Sequence, residues 1–584
     1  MNDLKTRWFS QVDKNCPLPE YPRPQFVRKH WMCLNGEYDY AITAPGIEKP
    51  SEYEGKILVP FSIESSLSGV CKPLLPEQRL WYRRFFTLDD SFAGKRVLLH
   101  FGAVDWKCKV YVNGSLAGGH TGGYSPFSFE ITKLLKTGEN ELVVRVCDPT
   151  DTGWQQRGKQ VLKTHGFWYT ATSGIWQTVW LEPVESYFIQ KIKLLPDVDN
   201  SAIGIITEVS GSDTFTLKAT ISENGKSIIT REISFDDKIN IPAPKLWSPE
   251  TPFLYTLHLE LFCGTSKLCD SVESYFGMRK FSIGNDENDI PRLLLNNKPY
   301  FQKGLLDQGY WCDGGLTPPC DEAMVYDIET MKKMGFNMLR KHIKIEPLRW
   351  YWHCDRLGMI VWQDMVSGGE YIGNLLAGVL PNLGVKVKDN NYKRFKRGKE
   401  SWRAEFRKEL FEMLDNLYNC VSIGCWVPFN EGWGQFDARN IGKSVKNYDS
   451  SRIVDHASGW YDQGGCDLKS IHKYILPVKL PRIGTRPFVL SEFGGYSCVA
   501  ENHVWDRKKC FGYKMFKDKA ALTAAYVKLM EEQIVPLVPQ GLCATVYTQL
   551  SDVENEVNGI LSYDREIIKM DAEAVSKINA KLVY

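Results

Sequence analysis

Residues 337–364 read NMLRKHIKIEPLRWYWHCDRLGMIVWQD: an apolar run carrying Arg340 and His342, a segment over 347–357 that predicts a helix, and a second apolar run closing on Asp364. Strand, helix and strand in so short a span suggest a βα repeat, and the alternation extends in both directions. Upstream, YFQKGL at 300–305 precedes a helix over 320–334. Downstream come a helix at 401–418, SIGCWVPFNE at 422–431, RIVDHAS at 452–458, the polar strand LKSIHKY at 468–474, FVLSEFG at 488–494, a helix at 519–534 and LCATVYTQ at 542–549. Eight β-rich segments alternating with helices over about 290 residues match the size and order of a (β/α)8 barrel, with a doubly wound open sheet as the rival.

Ahead of this region the pattern is strand after strand. LWYRRFF at 80–86, RVLLHFG at 96–102, CKVYVNGSLAGGH at 108–120, NELVVRVCD at 140–148 and IWQTVWLEP at 175–183 are separated by Gly, Pro and Asp turns, as in a sandwich or jelly roll. Asn113-Gly114 is the strongest hairpin signal, because a type I′ turn needs two residues that accept positive φ. A second β series follows, with IGIITEV at 203–209, TFTLKATI at 214–221, LYTLHLEL at 254–261 and SVESYFGMRKF at 271–281; the Pro-dense 241–252 reads as a crossover within it. The expected fold is therefore multidomain, β and α/β: an N-terminal jelly-roll β-sandwich over 1–184, an immunoglobulin-like β-sandwich over 185–283 and a C-terminal (β/α)8 TIM barrel over 284–584.

Composition narrows the function classes. With 72 Lys and Arg against 70 Asp and Glu, the net charge of +2 supplies no field that implies nucleic acid or an anionic membrane. The 18 Trp and 27 Tyr exceed what an apolar core demands and suit planar ligands or sugars. The 16 Cys include no C-x-x-C pair, which argues against zinc, and read as buried thiols kept reduced. The opening MNDLKTRWFSQ has no apolar leader, and no run is long enough to span a membrane. A cytoplasmic protein with a carbohydrate substrate, no nucleic-acid or membrane partner, no cofactor, no metal and possible homo-oligomerisation is the expectation.

In a barrel of this kind the active site lies at the C-terminal ends of the strands. The polar residues placed there are Asp307, Arg340 with His342, Asp364, Asn430 with Glu431, Asp455 with His456, His472 with Tyr474, Glu492, and Gln549 with Asp552. Glu431 and Glu492 each end an otherwise apolar strand, and three βα units fit between them, so they fall on strands four and seven. Two carboxylates facing one pocket are what glycosidic cleavage needs: one protonates the leaving oxygen while the other attacks the anomeric carbon or activates water. Either Glu alone could be a rim carboxylate in a salt bridge. Asn430 could donate to a sugar hydroxyl, Trp311, Trp433 and Trp460 could present faces to a pyranose, and Arg340 and Tyr474 could hold a nucleophile ionised. Each Trp could equally be core. No G-x-S-x-G elbow, P-loop, H-E-x-x-H or dinucleotide fingerprint is present.

These residues resemble the family-two glycoside hydrolases, which include β-galactosidases, β-glucuronidases and β-mannosidases. VYVNG with FSFEIT (110–132) and SGIWQTVWLE (173–182) are similar to the family's sugar-binding jelly roll; LWSPETPFLYTL (246–257) and FGMRKF (276–281) are similar to its immunoglobulin-like domain. In the barrel, 337–364 resembles its Asn-x-x-Arg-x-x-His strand, WVPFNEGWG (426–434) its acid/base signature and LSEFGG (490–495) its nucleophile signature. The resemblance implies Glu431 as general acid/base and Glu492 as nucleophile in a retaining double displacement, Asn430 on the 2-hydroxyl, and Arg340 and Tyr474 tuning the nucleophile. His342, Asp364, Trp433, Trp460, His472 and Gln549 complete the expected substrate-binding set. DVENEVNG (552–559) lacks the Asn-x-Lys pair with which glucuronidases grip a uronic carboxylate, and the Trp362-Gln363-Asp364 strand lacks a magnesium-binding Glu-x-His. The usual Trp on the last strand is replaced by Val546-Tyr547-Thr548, which would reshape the pocket. A retaining exo-β-glycosidase preferring a β-galactoside is the reading; a β-mannoside, β-glucuronide or arabinoside is the alternative sugar, and a non-catalytic carbohydrate-binding protein the alternative class. The Gly-, Asn- and Lys-rich 368–399 reads as a long barrel loop, a lid or a specificity element.

Overall fold

The computed structural model describes residues 4–584 apart from 213, 265–266, 475–476 and 481–483. Two antiparallel sheets form the first sandwich. One has four strands, in the order Met32–Cys33, Val179–Val184, Arg96–Phe101, Phe127–Glu130; the other has six and centres on Arg79–Thr87 and Glu139–Cys147. Period-two alternation drives it: Leu142, Val144 and Val146 point into the core with Tyr82 and Val110, while Glu141 and Arg145 point away. The hairpin at Asn113-Gly114 carries positive φ at both residues, as its sequence requires.

The second sandwich sets a three-stranded sheet against a four-stranded one, around a core of Ile, Leu and Val from facing strands. Its hairpin from Tyr255–Cys263 to Lys267–Phe276 corrects the reading of the cysteines as uniformly reduced. Cys263 and Cys269 form a disulfide, because the antiparallel return brings their Cα atoms to 6.0 Å. The chain ahead of Met32 ties the parts together. Val27 pairs with Glu273 of the second sandwich, and the Thr6 hydroxyl donates to Asp313 in the barrel.

The barrel strands are β1 (Gln302–Asp307), β2 (Met338–Lys341), β3 (Ile360–Asp364), β4 (Ile423–Val427), β5 (Ile453–Val454), β6 (Lys469–Lys473), β7 (Phe488–Gly494) and β8 (Leu542–Thr548). All seven pairings are parallel, in the order β5-β4-β3-β2-β1-β8-β7-β6, which excludes the doubly wound alternative. Across the seam between β5 and β6, side chains make the link: Val454 N–H donates to Asp467 and the Ser470 hydroxyl to Asp455. The near-continuous apolar runs of β3, β4 and β8 are buried on both faces, as a sheet covered by helices requires. Among the described residues no helix is long and apolar enough to cross a membrane.

Candidate active site

Arg340, on β2 and fully buried, organises the mouth of the barrel. Its Nε and Nη2 donate to the two carboxylate oxygens of Asp364 at 2.9 and 3.0 Å. Nη1 donates to the Ser491 carbonyl at 3.0 Å and to Glu492 Oε1 at 3.1 Å, and Nη2 also to Asn430 Oδ1 at 2.8 Å. One planar guanidinium thereby sets the positions of residues from β3, β7 and the end of β4. Because Arg340 can only donate, Asn430 must present Oδ1 to it, which leaves Nδ2 for the cavity.

Glu431 follows β4 in a tight turn. Its φ is +51° and that of Gly432 is +71°, and Trp433 N–H closes the turn on the Asn430 carbonyl at 3.0 Å. Two consecutive left-handed residues are characteristic of a type I′ turn, which usually carries Asn-Gly where this chain carries Glu-Gly. A Cβ on Gly432 would come within 2.6 Å of the Tyr461 ring, so glycine is required there on both counts. The Glu431 N–H donates to the Ser458 carbonyl at 3.0 Å, which turns its carboxylate into the barrel mouth.

Glu492 sits opposite on β7, paired in register with His472 on β6. Its Oε2 accepts a short hydrogen bond from the Tyr474 hydroxyl, which also lies 3.2 Å from Thr548 Oγ1. Burial works to raise the Glu492 pKa, but His472 and Arg340, together with the Tyr474 hydroxyl, outweigh it and hold the carboxyl below its ordinary value. His472 stands between the two carboxylates, its Nδ1 2.7 Å from Glu431 Oε1 and 3.5 Å from Glu492 Oε2. Its Nε2 faces the donor Arg340 Nη1 at 3.4 Å, so the proton belongs on Nδ1, directed at Glu431. His342 places Nδ1 2.8 Å from Asp364 Oδ2. Burial, reinforced by the positive charge of Lys159, pushes its pKa well below the ordinary histidine value, so the ring is neutral and Nε2 remains an acceptor.

Glu431, His472 and Glu492 have ligand atoms all within 4.8 Å of one another, so among the described residues they are also a group whose geometry could hold a metal ion. A resident cation would compete with the Arg340 guanidinium already on Glu492, and the donor set therefore suits a charge-neutralised carboxylate pair better than a metal.

The cavity at this mouth has a volume of about 750 Å³. Asn430, Glu431, Trp433, Trp460, His472, Tyr474 and Glu492 all line it, with His342 and Thr548, while Arg340 and Asp364 stand directly behind. Two more of the expected residues do not line the cavity. Gln549 is buried one layer away, accepting from Gln308 Nε2 and donating to Asn558 Oδ1 at 2.8 Å each, and Gln308 takes the place at the cavity wall. Trp311 is core, edge-on to Trp8 with the Arg565 guanidinium over its face. Asp307 and Asp552 are neutralised by Lys341 and Lys569, and Asp455 is held by Ser470. Of the altered last strand, Tyr547 packs outward on Phe493 and Tyr526, and only Thr548 reaches the pocket.

Other wall residues carry no sequence signal. Lys159, Phe167 and Trp168 arrive from the segment between the strands of the first sandwich, Trp168 edge-on to Trp433 at 5.0 Å. Tyr513 comes from the long connection after β7 and stacks on Tyr474 at 4.1 Å. The segment 368–399 lies in the long connection between β3 and the helix at Glu400–Asn416. It forms helical turns over Leu375–Val379 and Leu380–Asn382 and supplies one wall.

Comparison with known proteins gives a consistent result. Family models described as glycosyl hydrolases family 2 match the sugar binding domain at 1–183, the central domain at 191–279 and the TIM barrel domain at 291–479. A beta-galactosidase of Thermoanaerobacter pseudethanolicus is 28% identical over 61% of this chain and 45% of its own length. One of Priestia megaterium is 24% identical over 84% and 47%. The chain spans about half the length of the curated relatives it matches. Among solved structures, a beta-D-glucuronidase of Dictyoglomus thermophilum superimposes with a TM-score of 0.76 at 16% identity, covering 96% of this chain and 99% of that one. A beta-galacturonidase of Eisenbergiella tayi gives 0.71 at 17%, with 96% and 99% covered; both establish likeness of fold.

Proposed function

The chain belongs to the glycosyl hydrolases family 2, and from that premise we propose that it is a retaining exo-β-glycosidase with Glu492 as nucleophile and Glu431 as general acid/base. The observation that carries this reading is the spacing of the pair: one carboxylate oxygen of Glu431 lies within 4.8 Å of one of Glu492. Retaining enzymes need a separation of about 5–5.5 Å, whereas inverting ones leave roughly 6.5–9.5 Å for a water. The roles follow from the surroundings. Glu492 is buried and kept ionised by Arg340, His472 and Tyr474, which suits a nucleophile. Glu431 is more open to the cavity than Glu492 and lies beside His472, which suits an acid that later acts as base.

In the first step a Glu492 oxygen bonds to the anomeric carbon as the glycosidic oxygen departs with the proton of Glu431. A glycosyl ester and a free alcohol result. In the second, Glu431, now ionised, takes a proton from water; the water oxygen bonds to the anomeric carbon and the ester breaks, restoring Glu492. Asn430 Nδ2 is placed for the 2-hydroxyl, and Trp433 and Trp460 for the apolar faces of the ring.

A β-galactoside is the preferred glycone on the absence of an Asn-x-Lys grip in 552–559. One observation favours a β-uronide instead. Lys159 enters the cavity over the rings of Phe167 and Tyr169, offering a positive charge to a sugar carboxylate, and relatives are named for galactoside, glucuronide and galacturonide hydrolysis. Hydrolysis of p-nitrophenyl galactoside, glucuronide, galacturonide, glucoside and mannoside near neutral pH with chelator present decides between them. Intact-mass labelling by a 2-fluoro-glycoside, mapped to Glu492, tests the mechanism; release without any labelling there would refute the assignment.

A further inference from the structure

A cavity of about 750 Å³ belongs with sites that enclose a drug-sized ligand, of roughly 300–1,000 Å³. One pyranose between Glu431 and Glu492 occupies only its floor. Beyond that floor the lining includes the polar Lys159, Asn374 and Lys473, and its apolar part comes from three separate segments. Val379 and Leu383, 50% and 71% exposed, line the cavity from the helical turns after β3, and Leu375, 61% exposed, continues the same stripe at a spacing of four. This stripe is not what anchors the segment. Ile372 and Leu376 pack with Val387, Phe395 and Tyr461 in a small core of their own, and the Tyr461 hydroxyl donates to the Leu376 carbonyl. Phe167 and Trp168 from the first sandwich and Tyr513 from the connection after β7 line the same cavity.

Against the Val379–Leu383 stripe a second sugar would set hydroxyls on hydrocarbon that offers them neither donor nor acceptor, whereas an apolar group would gain cover there. Resting on the glycosidase reading above, we propose that the cavity mouth is a binding site for an apolar leaving group, so that the substrate class is β-glycosides of hydrophobic phenols or alcohols rather than oligosaccharides. The leaving alcohol takes its proton from Glu431 as in the reaction already described, and its hydrocarbon body lies against the Val379–Leu383 stripe and the Phe167, Trp168 and Tyr513 rings.

The test is a series of para-alkylphenyl β-glycosides, from methyl to butyl, on the sugar that the glycone panel identifies. Their phenols have matched acidity, so a trend reports binding of the alkyl chain. In the full chain kcat/KM should rise about two- to fourfold per added methylene, and the double substitution Val379→Ser with Leu383→Ser should flatten that rise while thermal melting shows the fold intact. A flat series in the unsubstituted enzyme, or a disaccharide turned over faster than every member, would overturn the apolar leaving-group site and leave the glycosidase reading standing. A rise that survives the double substitution would remove the stripe from it. Sedimentation showing a dimer that dissociates on the same substitution would assign the stripe to a second copy of the chain and defeat the proposal. Absence of hydrolysis together with absence of Glu492 labelling would defeat both readings at once.

Discussion

Replacing Tyr474 by Phe removes one hydroxyl and little else, because the ring keeps its stack on Tyr513 at 4.1 Å. The hydroxyl donates to Glu492 Oε2, and its other neighbour is Thr548 Oγ1 at 3.2 Å. A hydrogen bond to a charged group is worth about 1.5–3 kcal/mol, and one pKa unit corresponds to about 1.36 kcal/mol. The Glu492 pKa should therefore rise by about one to two units, since burial opposes ionisation and Arg340 and His472 alone remain to offset it. A carboxyl whose folded pKa is depressed stabilises the fold above its unfolded pKa, and that stabilisation is lost as pH falls through the folded value. The variant should thus be less stable than the parent at neutral pH, with the difference shrinking as pH falls below the ordinary carboxylate range. In kcat/KM against pH, the acid limb, which reports ionisation of the nucleophile in the free enzyme, should move to higher pH by the same one to two units. The assay is that profile on the best p-nitrophenyl glycoside, with thermal melting in parallel. An unmoved acid limb with a loss confined to KM would refute the reasoning and make Tyr474 a substrate contact.

Glu431→Gln should cost about 10² to 10⁴-fold on glycosides with poor leaving groups and far less on activated aryl glycosides; equal losses on both would contradict the acid role. Glu492→Gln should abolish turnover of both, while the smaller Glu431→Gly should be rescued by azide with a β-linked product, and an α-linked product would reverse the two assignments. Arg340→Met strands Asp364 and Glu492 without their buried counter-charge and should destabilise the fold by about 3–5 kcal/mol, read by urea denaturation at neutral pH. Lys159→Ala should raise KM for a glucuronide or galacturonide and leave a galactoside little changed, and equal effects on all three would remove Lys159 from glycone selection.

The barrel was legible because its strands announce themselves: CWV before Asn430-Glu431 and FVL before Ser491-Glu492 are apolar runs that burial on both faces demands, each ended by polar residues where the sheet opens to the cavity. The Asn113-Gly114 hairpin was equally legible, since turn chemistry is local. The Cys263–Cys269 disulfide was not, because spacing alone does not say which hairpin brings two thiols together.

Chain order and strand-end position determined the carboxylate pair, the guanidinium and the histidines that cluster at the barrel mouth, since a residue at the end of a parallel strand has only one rim on which to appear. Tertiary structure alone decided which neighbours reach that rim. Gln549 and Gln308 are both polar residues just past strand ends, and only packing places Gln308 at the cavity and Gln549 behind it. Lys159, Phe167 and Trp168 lie far from Glu431 in sequence and meet it because the first sandwich docks over the barrel mouth. The spacing that favours retention, 4.8 Å or less between carboxylate oxygens, depends on Arg340, the left-handed turn at Glu431 and the register of His472 with Glu492 acting together. Local patterning states which side chains face a core or a rim, whereas the distances between them are set by contacts that are remote in sequence, and those exist only once the chain has folded.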